Sequence, residues 1–345
     1  MSTFHCEATN RISDTFSYEA TSRHSLRRDG AVTGRKAYPR NLILGRQRGE
    51  GVQDVKFAPV IKEDKAAYLR LDTGLDDDYV IDEFEDMAAK GNFYKATSED
   101  GDLMGVCELR PVTTRYAYLG AARTGRQFRG QGVATALTAY VIDEARARGF
   151  GWIGLCTYVN NLPAQRVAEK VGLSLIGRHL TLFRGYSGEA APRPGPEPGA
   201  VGAVGAQDPG MDGSDLSLTR EGKLAHLWQR YPDSGVFPYS AFMLLPHRRE
   251  LFTAEYLDTI HFQRFRDSTY WVRDEGWTIQ AAFADPLAFA DENLLRAVTA
   301  RWQKSDVYLT LEFPVTNATD TAHALAGLSW DGDVEFWMVY GKDLT

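Results

Sequence analysis

Two rhythms of apolar residues alternate along the chain. Val55 to Val60 reads as a strand and Lys62 to Leu71 as a short helix, with Ala66, Leu69 and Arg70 setting its spacing. Asp78 to Lys90 repeats the helical pattern through Val80, Ile81, Phe84 and Met87, and Gly91 stops it. Three runs rich in β-branched and aromatic residues follow: Phe93 to Thr97, Leu103 to Leu109 and Tyr116 to Ala122. With the turn Glu99-Asp100-Gly101 between the first two, they predict a meander. Val133 to Arg148 returns to helical spacing, with apolar residues at 133, 137, 140, 141 and 145 and Gly149 as its stop. Trp152 to Thr157 predicts a short buried strand, Ala164 to Val171 a helix ended by Gly172, and Leu173 to Phe183 the closing strands.

Both rhythms lapse in two places. Residues 1 to 50 keep no period and carry the basic cluster Arg23, Arg27, Arg28, Arg35, Lys36, Arg40, Arg46 and Arg48, so a flexible basic arm is expected. From Ser187 to Gly213, repeated Pro and Gly deny both helix and central strand, which predicts a linker. The expected division is therefore an arm (1–50), a first domain (51–186), the linker (187–213) and a second domain (214–345).

The second stretch echoes the first. Leu216 to Tyr231 and Glu250 to Phe262 read as helices, and Thr269 to Arg273 and Trp277 to Phe283 as strands around Asp274-Glu275-Gly276. Glu292 to Trp302 predicts a helix, Val307 to Phe313 a strand, Thr319 to Leu325 a short helix and Phe336 to Tyr340 a last strand. Trp271, Trp277, Trp302, Trp330 and Trp337 are expected mainly in its core.

Composition narrows the function classes. Of 345 residues, 43% are hydrophobic and 25% charged, which suits globular cores; no apolar run is long enough to span a bilayer, and a cytoplasmic protein is expected. A net charge of −7 disfavours nucleic acid as a partner. Cys6, Cys107 and Cys156, like His226, His247, His261 and His323, lack metal-ligand spacing, so no metal site is expected. A monomer or homodimer is the expected state.

Arg123-Thr124-Gly125-Arg126-Gln127-Phe128-Arg129-Gly130-Gln131-Gly132-Val133-Ala134 carries the chemistry. Its glycines let backbone approach a ligand closely, and the first amides of the helix starting near Val133 point outward with the positive end of the helix dipole. With Arg129 beside it, this is a cradle for a pyrophosphate. In the second stretch the same place reads Asp285-Pro286-Leu287-Ala288-Phe289-Ala290-Asp291-Glu292, whose carboxylates would repel one.

Arg129-Gly130-Gln131-Gly132-Val133-Ala134 resembles the Q/R-x-x-G-x-G/A signature of the GNAT superfamily of N-acyltransferases. Downstream, the segment from Asn161 to Leu173 is similar to that family's N-x-x-A-x-x-L-Y-E-K-x-G-F, matching at Asn161, Ala164, Glu169, Lys170 and Gly172. The resemblance covers about 51 to 186. It implies an α/β (α+β) GNAT fold: a mixed central sheet splayed into a V between its fourth and fifth strands, with flanking helices; with the echo in the second stretch, a tandem architecture is expected in which the second GNAT-like domain is degenerate. It also implies acetyl-CoA or another acyl-CoA as donor, with Ala122, Arg123 and Thr124 on the pantetheine arm and acyl carbonyl. Arg129, Gly130, Gln131, Gly132, Val133 and Ala134 would hold the pyrophosphate and Asn161 the far side of the donor.

The implied reaction is direct attack of a primary amine, from a small molecule or a peptide, on the thioester. Glu108 is the first candidate base. Where many members have a tyrosine acid this chain has Ala168, leaving Tyr158 and Ser174 as hydroxyl candidates or water in their place. The alternative is a non-catalytic acyl-CoA-binding or sensing protein.

Overall fold

The computed structural model describes residues 55–185, 216–230, 235–240, 243–265, 268–275, 279–283, 306–311 and 333–344. The arm, the linker, the 285–292 acidic segment, and the expected helices at 292–302 and 319–325 lie outside the described residues.

An edge strand β1 (Lys56–Pro59) leads through a 3-10 turn into the one-turn helix α1 (Lys65–Tyr68) and then α2 (Val80–Ala89). The expected helix over 62–71 is thus shorter than its pattern. The meander is β2 (Phe93–Thr97), β3 (Leu103–Pro111) and β4 (Tyr116–Thr124). Then come α3 (Val133–Ala147), β5 (Trp152–Tyr158), α4 (Leu162–Lys170) and β6 (Ser174–Gly185).

In the second half, α5 (Arg220–Arg230) precedes a hairpin of β7 (Val236–Ser240) and β8 (Met243–Pro246) that sequence reading missed. Pro238 and Pro246 mask it as strand, and a two-stranded sheet with free edges tolerates both. The expected helix over 250–262 is corrected: a 3-10 turn and the short α6 (Ala254–Asp258), capped by Thr253 accepting from the Tyr256 amide, give way to β9 (Ile260–Phe265). There Ile260 and Phe262 turn into the core on a period of two. β10 (Ser268–Asp274), β11 (Ile279–Phe283), β12 (Asp306–Leu311) and β13 (Asp333–Asp343) follow.

One mixed sheet joins all but the hairpin, in the order β1-β2-β3-β4-β5-β13-β6-β12-β11-β10-β9. β13 threads between β5 and β6, antiparallel to both. The pairing of β9 to β12, two antiparallel steps and then a parallel one, repeats that of β2 to β5.

α3 and α4 cover one face with Leu137, Val141, Ile142 and Ala168 over Leu109, Leu119, Ile153 and Met338. On the opposite face α1 and α2 cover β2 and β3 through Tyr68, Val80, Phe84 and Met87. The hairpin covers β4, β5 and β13 on that same face through Val236, Leu244 and Leu245. Between these two covers lies the site.

Candidate functional site

β4 and β5 pair only at Tyr116 with Trp152, Ala117 with Ile153 and Tyr118 with Gly154. Beyond that rung β4 runs to Thr124 and β5 to Tyr158 without pairing, so the two strands open into a V. A bulge accompanies the opening: Val106 faces Arg123 and Glu108 faces Gly120, leaving Ala121 and Ala122 against Cys107 alone. Ala121 takes φ 46°, a left-handed conformation that strains a residue with a Cβ. Bulges bend the strand that carries them and remove its backbone from regular pairing. β11 and β12, the parallel pair in the other half, stay together over all of β11, from Ile279 with Val307 to Phe283 with Leu311.

Past Thr124 the chain makes a 3-10 turn at Arg126–Phe128 and enters α3. Phe128 anchors this loop, packing against both cores. Gly132 is the N-cap at φ 81°, with no side-chain cap on the helix amides, and Gly130 is at φ 76°. A Cβ on either glycine would meet nothing within 4 Å. Glycine is required there by backbone conformation, and open space lies over the uncapped amides, which fits an anion such as the donor's pyrophosphate.

The arginines around the cradle hold the chain that precedes α2. Arg129 donates from Nη2 to the Thr73 carbonyl at 2.6 Å and from Nε to that of Thr124 at 3.4 Å. The Arg126 amide donates to the Asp72 carbonyl at 2.7 Å. Arg123 sends its side chain to the opposite face, donating Nη2 to Asp78 Oδ1 at 2.9 Å and Nε to both carboxylate oxygens. Tyr68 Oη donates to Asp78 Oδ2 at 2.6 Å and the Val80 amide to Oδ1 at 3.2 Å. Burial works to raise the Asp78 pKa, yet the bonds from Arg123 and Tyr68 outweigh it and hold the carboxyl below its usual range. At the other wall, Asn161 accepts from the Ala164 amide at 3.3 Å, so its side chain caps α4.

On the face away from α3, Glu108 is buried beside the splayed part of β4. Its Oε2 accepts from Arg110 Nη2 at 2.7 Å and lies 3.2 Å from where a Cβ on Gly120 would stand, so the carboxylate occupies room that Gly120 leaves. Burial works to lower the Arg110 pKa, but the Glu108 hydrogen bond holds it above the usual value. Gly120 and Tyr118 share the face of Glu108, and Gly154, Cys156 and Tyr158 continue it on β5. Tyr158 is 40% exposed at the strand end and stacks on Trp337 of β13, centroids 4.2 Å apart and planes at 28°. The two candidate catalytic residues therefore flank one opening.

Residues 60–173 match the model of the acetyltransferase (GNAT) family. That segment is a GNAT acetyltransferase domain. A search of curated proteins found no match. Among solved structures, the chain is similar to a GCN5-related N-acetyltransferase from Sphaerobacter thermophilus, at 12% identity and TM-score 0.47, over 84% of this chain and 96% of that one. A putative acetyltransferase from Pyrococcus horikoshii matches at 10% identity and TM-score 0.46, over 89% and 93%. One from Thermoplasma acidophilum matches at 13% and 0.42, over 86% and 93%.

Within the GNAT domain, Ala168 is fully buried against the face of the sheet that carries α3. A tyrosine there would have to displace packed side chains. Ser174 starts β6 opposite Gly341, on the level of Gly154 and away from the mouth where Tyr158 stands. Among the described residues, no group of three His, Cys, Asp or Glu could hold a metal ion, and no helix is long and apolar enough to cross a membrane.

Sequence reading missed two features of the site. The Asp78–Arg123 pair joins residues 45 apart, one of them in a run of aspartates that gave no sign of burial. His179, buried on β6 directly across from Trp337, was passed over among apolar strand residues. The period of two along β6 puts it on one face with Thr181, and both are buried.

Proposed function

We propose that the chain is an acyl-CoA-dependent N-acyltransferase that moves an acetyl group from acetyl-CoA to a primary amine of a small molecule or peptide. The observation that carries this reading is the V between β4 and β5 leading to the uncapped, glycine-framed start of α3. The α3 amides from Gly132 to Ala134, with Gly130, Gln131 and Arg129 around them, take the pyrophosphate. Backbone from Ala122 to Thr124, at and beyond the bulge, lines the acyl end, where N–H groups can stabilise charge developing on the acyl oxygen. The bound thioester supplies the activated acyl group. Glu108 faces the amine from the opposite side of the sheet and receives its proton, directly or through water. Tyr158 or water returns a proton to the leaving thiolate, whose ordinary pKa near 8.5 makes that demand modest.

The catalytic unit in this reading is the GNAT domain together with β13, and the second half, whose parallel pair β11–β12 does not part, serves as a cover and binds no CoA. A second reading, a non-catalytic acyl-CoA sensor, is favoured by the burial of Ala168 where family members carry an acid. Calorimetry with CoA and thiol release from acetyl-CoA over a panel of amines and peptides separate the two. Binding with amine-dependent release, lowered at least about a hundredfold in kcat by Glu108→Gln, is the expected outcome. Binding without release from any amine would leave the sensor, and absence of CoA binding would remove both readings.

A further inference from the structure

Two neighbouring residues on β13 and β6, next to the free end of β5, each bury a polar atom without a partner among the described residues. Trp337 is the cross-strand partner of both Tyr158 on β5 and His179 on β6, so the three side chains form one row on the face that carries Glu108. Trp337 is 8% exposed and His179 6%. Among the described residues, neither Trp337 Nε1 nor His179 Nε2 has a hydrogen-bond partner. An unsatisfied donor or acceptor in a desolvated place costs free energy, and such a cost is kept where something else supplies the missing bond. The Tyr158 ring stacks over the indole at the last residue of its strand, where it is more than a third exposed.

We propose that Trp337 and His179 form the acceptor-recognition wall of this site, binding a primary amine that carries an apolar or aromatic body and a neutral oxygen function, preferably a hydroxyl. The inference rests on the acyltransferase reading. The acceptor body takes the place of the Tyr158 ring against Trp337. Its oxygen accepts from the indole N–H, which can only donate, and donates to His179 Nε2. Burial takes the His179 imidazole down to about 4, so at neutral pH it is uncharged and offers a lone pair. A carboxylate is disfavoured at the same spot, since two neutral rings give nothing to balance a desolvated charge. Exposed apolar side chains at the start of α2 (Tyr79, Ile81) and just beyond β5 (Val159, Leu162) suit an apolar body rather than a highly charged one.

Matched amines test this directly: tyramine against phenethylamine, and 5-aminopentanol against pentylamine, each with acetyl-CoA. The hydroxylated member of at least one pair should be preferred about tenfold in kcat/KM. His179→Phe and Trp337→Phe should each bring that preference close to unity through acceptor KM, with CoA affinity by calorimetry unchanged. No preference in either pair, a preference that survives both substitutions, or turnover of none of the four while other amines release thiol would each overturn the wall; so would filling of the two orphan atoms by water alone, seen as no response of the Trp337 indole N–H resonance to tyramine. That resonance, moved by tyramine and not by phenethylamine, supports the assignment in the wild-type chain if either variant fails to fold. Loss of CoA binding in the wild type would instead sink the acyltransferase reading, so the two failures are distinguishable.

Discussion

Replacing Asp78 by Asn tests whether the buried pair with Arg123 ties α2 to the splayed end of β4. The Asp78 side chain is 2% exposed and that of Arg123 15%, so little solvent is available to take over either charge. Asn keeps one oxygen for the Tyr68 hydroxyl or the Val80 amide but leaves the guanidinium buried without its counter-charge. Breaking a buried pair from one side costs about 3–5 kcal/mol. The retained neutral bonds place this substitution toward the lower end, about 3 kcal/mol in urea unfolding. Removing both charges with Asp78→Leu and Arg123→Met should cost much less than the sum of the single changes, because no lone charge remains buried. The pair also predicts a pH window. The folded carboxyl titrates below its ordinary value of 3.8, so its contribution is complete above that value and is lost as pH falls through the lower folded pKa. Wild type should therefore lose more stability on acidification below about pH 4 than the doubly substituted chain. A cost below about 1 kcal/mol for Asp78→Asn, or additive single and double substitutions, would refute a desolvated clamp.

Other substitutions examine the cradle, α4 and the row at the mouth. Gly132→Glu should abolish CoA binding in calorimetry by placing a carboxylate where the pyrophosphate sits, and it should also cost about 1–2 kcal/mol of stability for a side chain at φ 81°; unchanged affinity in a folded variant would remove the donor assignment. Ala168→Tyr, which would restore the residue other family members carry, should destabilise the GNAT domain by about 1–3 kcal/mol in thermal or urea melts, because its site is filled. An unaltered melt would show a pocket open beside α4. His179, neutral when folded and titrating near 4 against 6.5 unfolded, draws stability down as pH falls from 6.5 towards 4, by about 3 kcal/mol in all. His179→Phe should flatten that slope, and an unchanged slope would mean that the imidazole reaches solvent.

Local pattern made the first half of the fold legible. Helical period and glycine stops marked α2 and α3 to within two residues, and the spacing of two motifs across an intervening helix and strand identified the family. Only pairing could show the departure of β4 from β5, since Leu119 to Thr124 has no composition that distinguishes a splayed strand from a paired one. Asn161 and Arg123 show a different limit. The sequence gives their side chains no destination, and the structure directs one to cap α4 and the other to Asp78, leaving backbone and glycine space at the cradle itself. In the second half, Pro238 and Pro246 hid a hairpin, and the capped turn at Thr253 followed at once by β9 read as a single helix.

The position of β13 gives the site a dependence on time. During synthesis β5 and β6 emerge early, each with the edge that β13 will occupy open, and Trp337 reaches Tyr158 only after roughly 180 further residues, about 10–40 s at ordinary elongation rates. Until then two neighbouring strands of the V-bearing sheet present unpaired N–H and C=O groups to any extended segment nearby. The mouth of the V is thus finished long after its own two strands have emerged. A chain that stops between β12 and β13 keeps every residue of the pyrophosphate loop and lacks the strand that joins β5 to β6, so synthesis of β13 decides whether Tyr158 acquires the indole it stacks on.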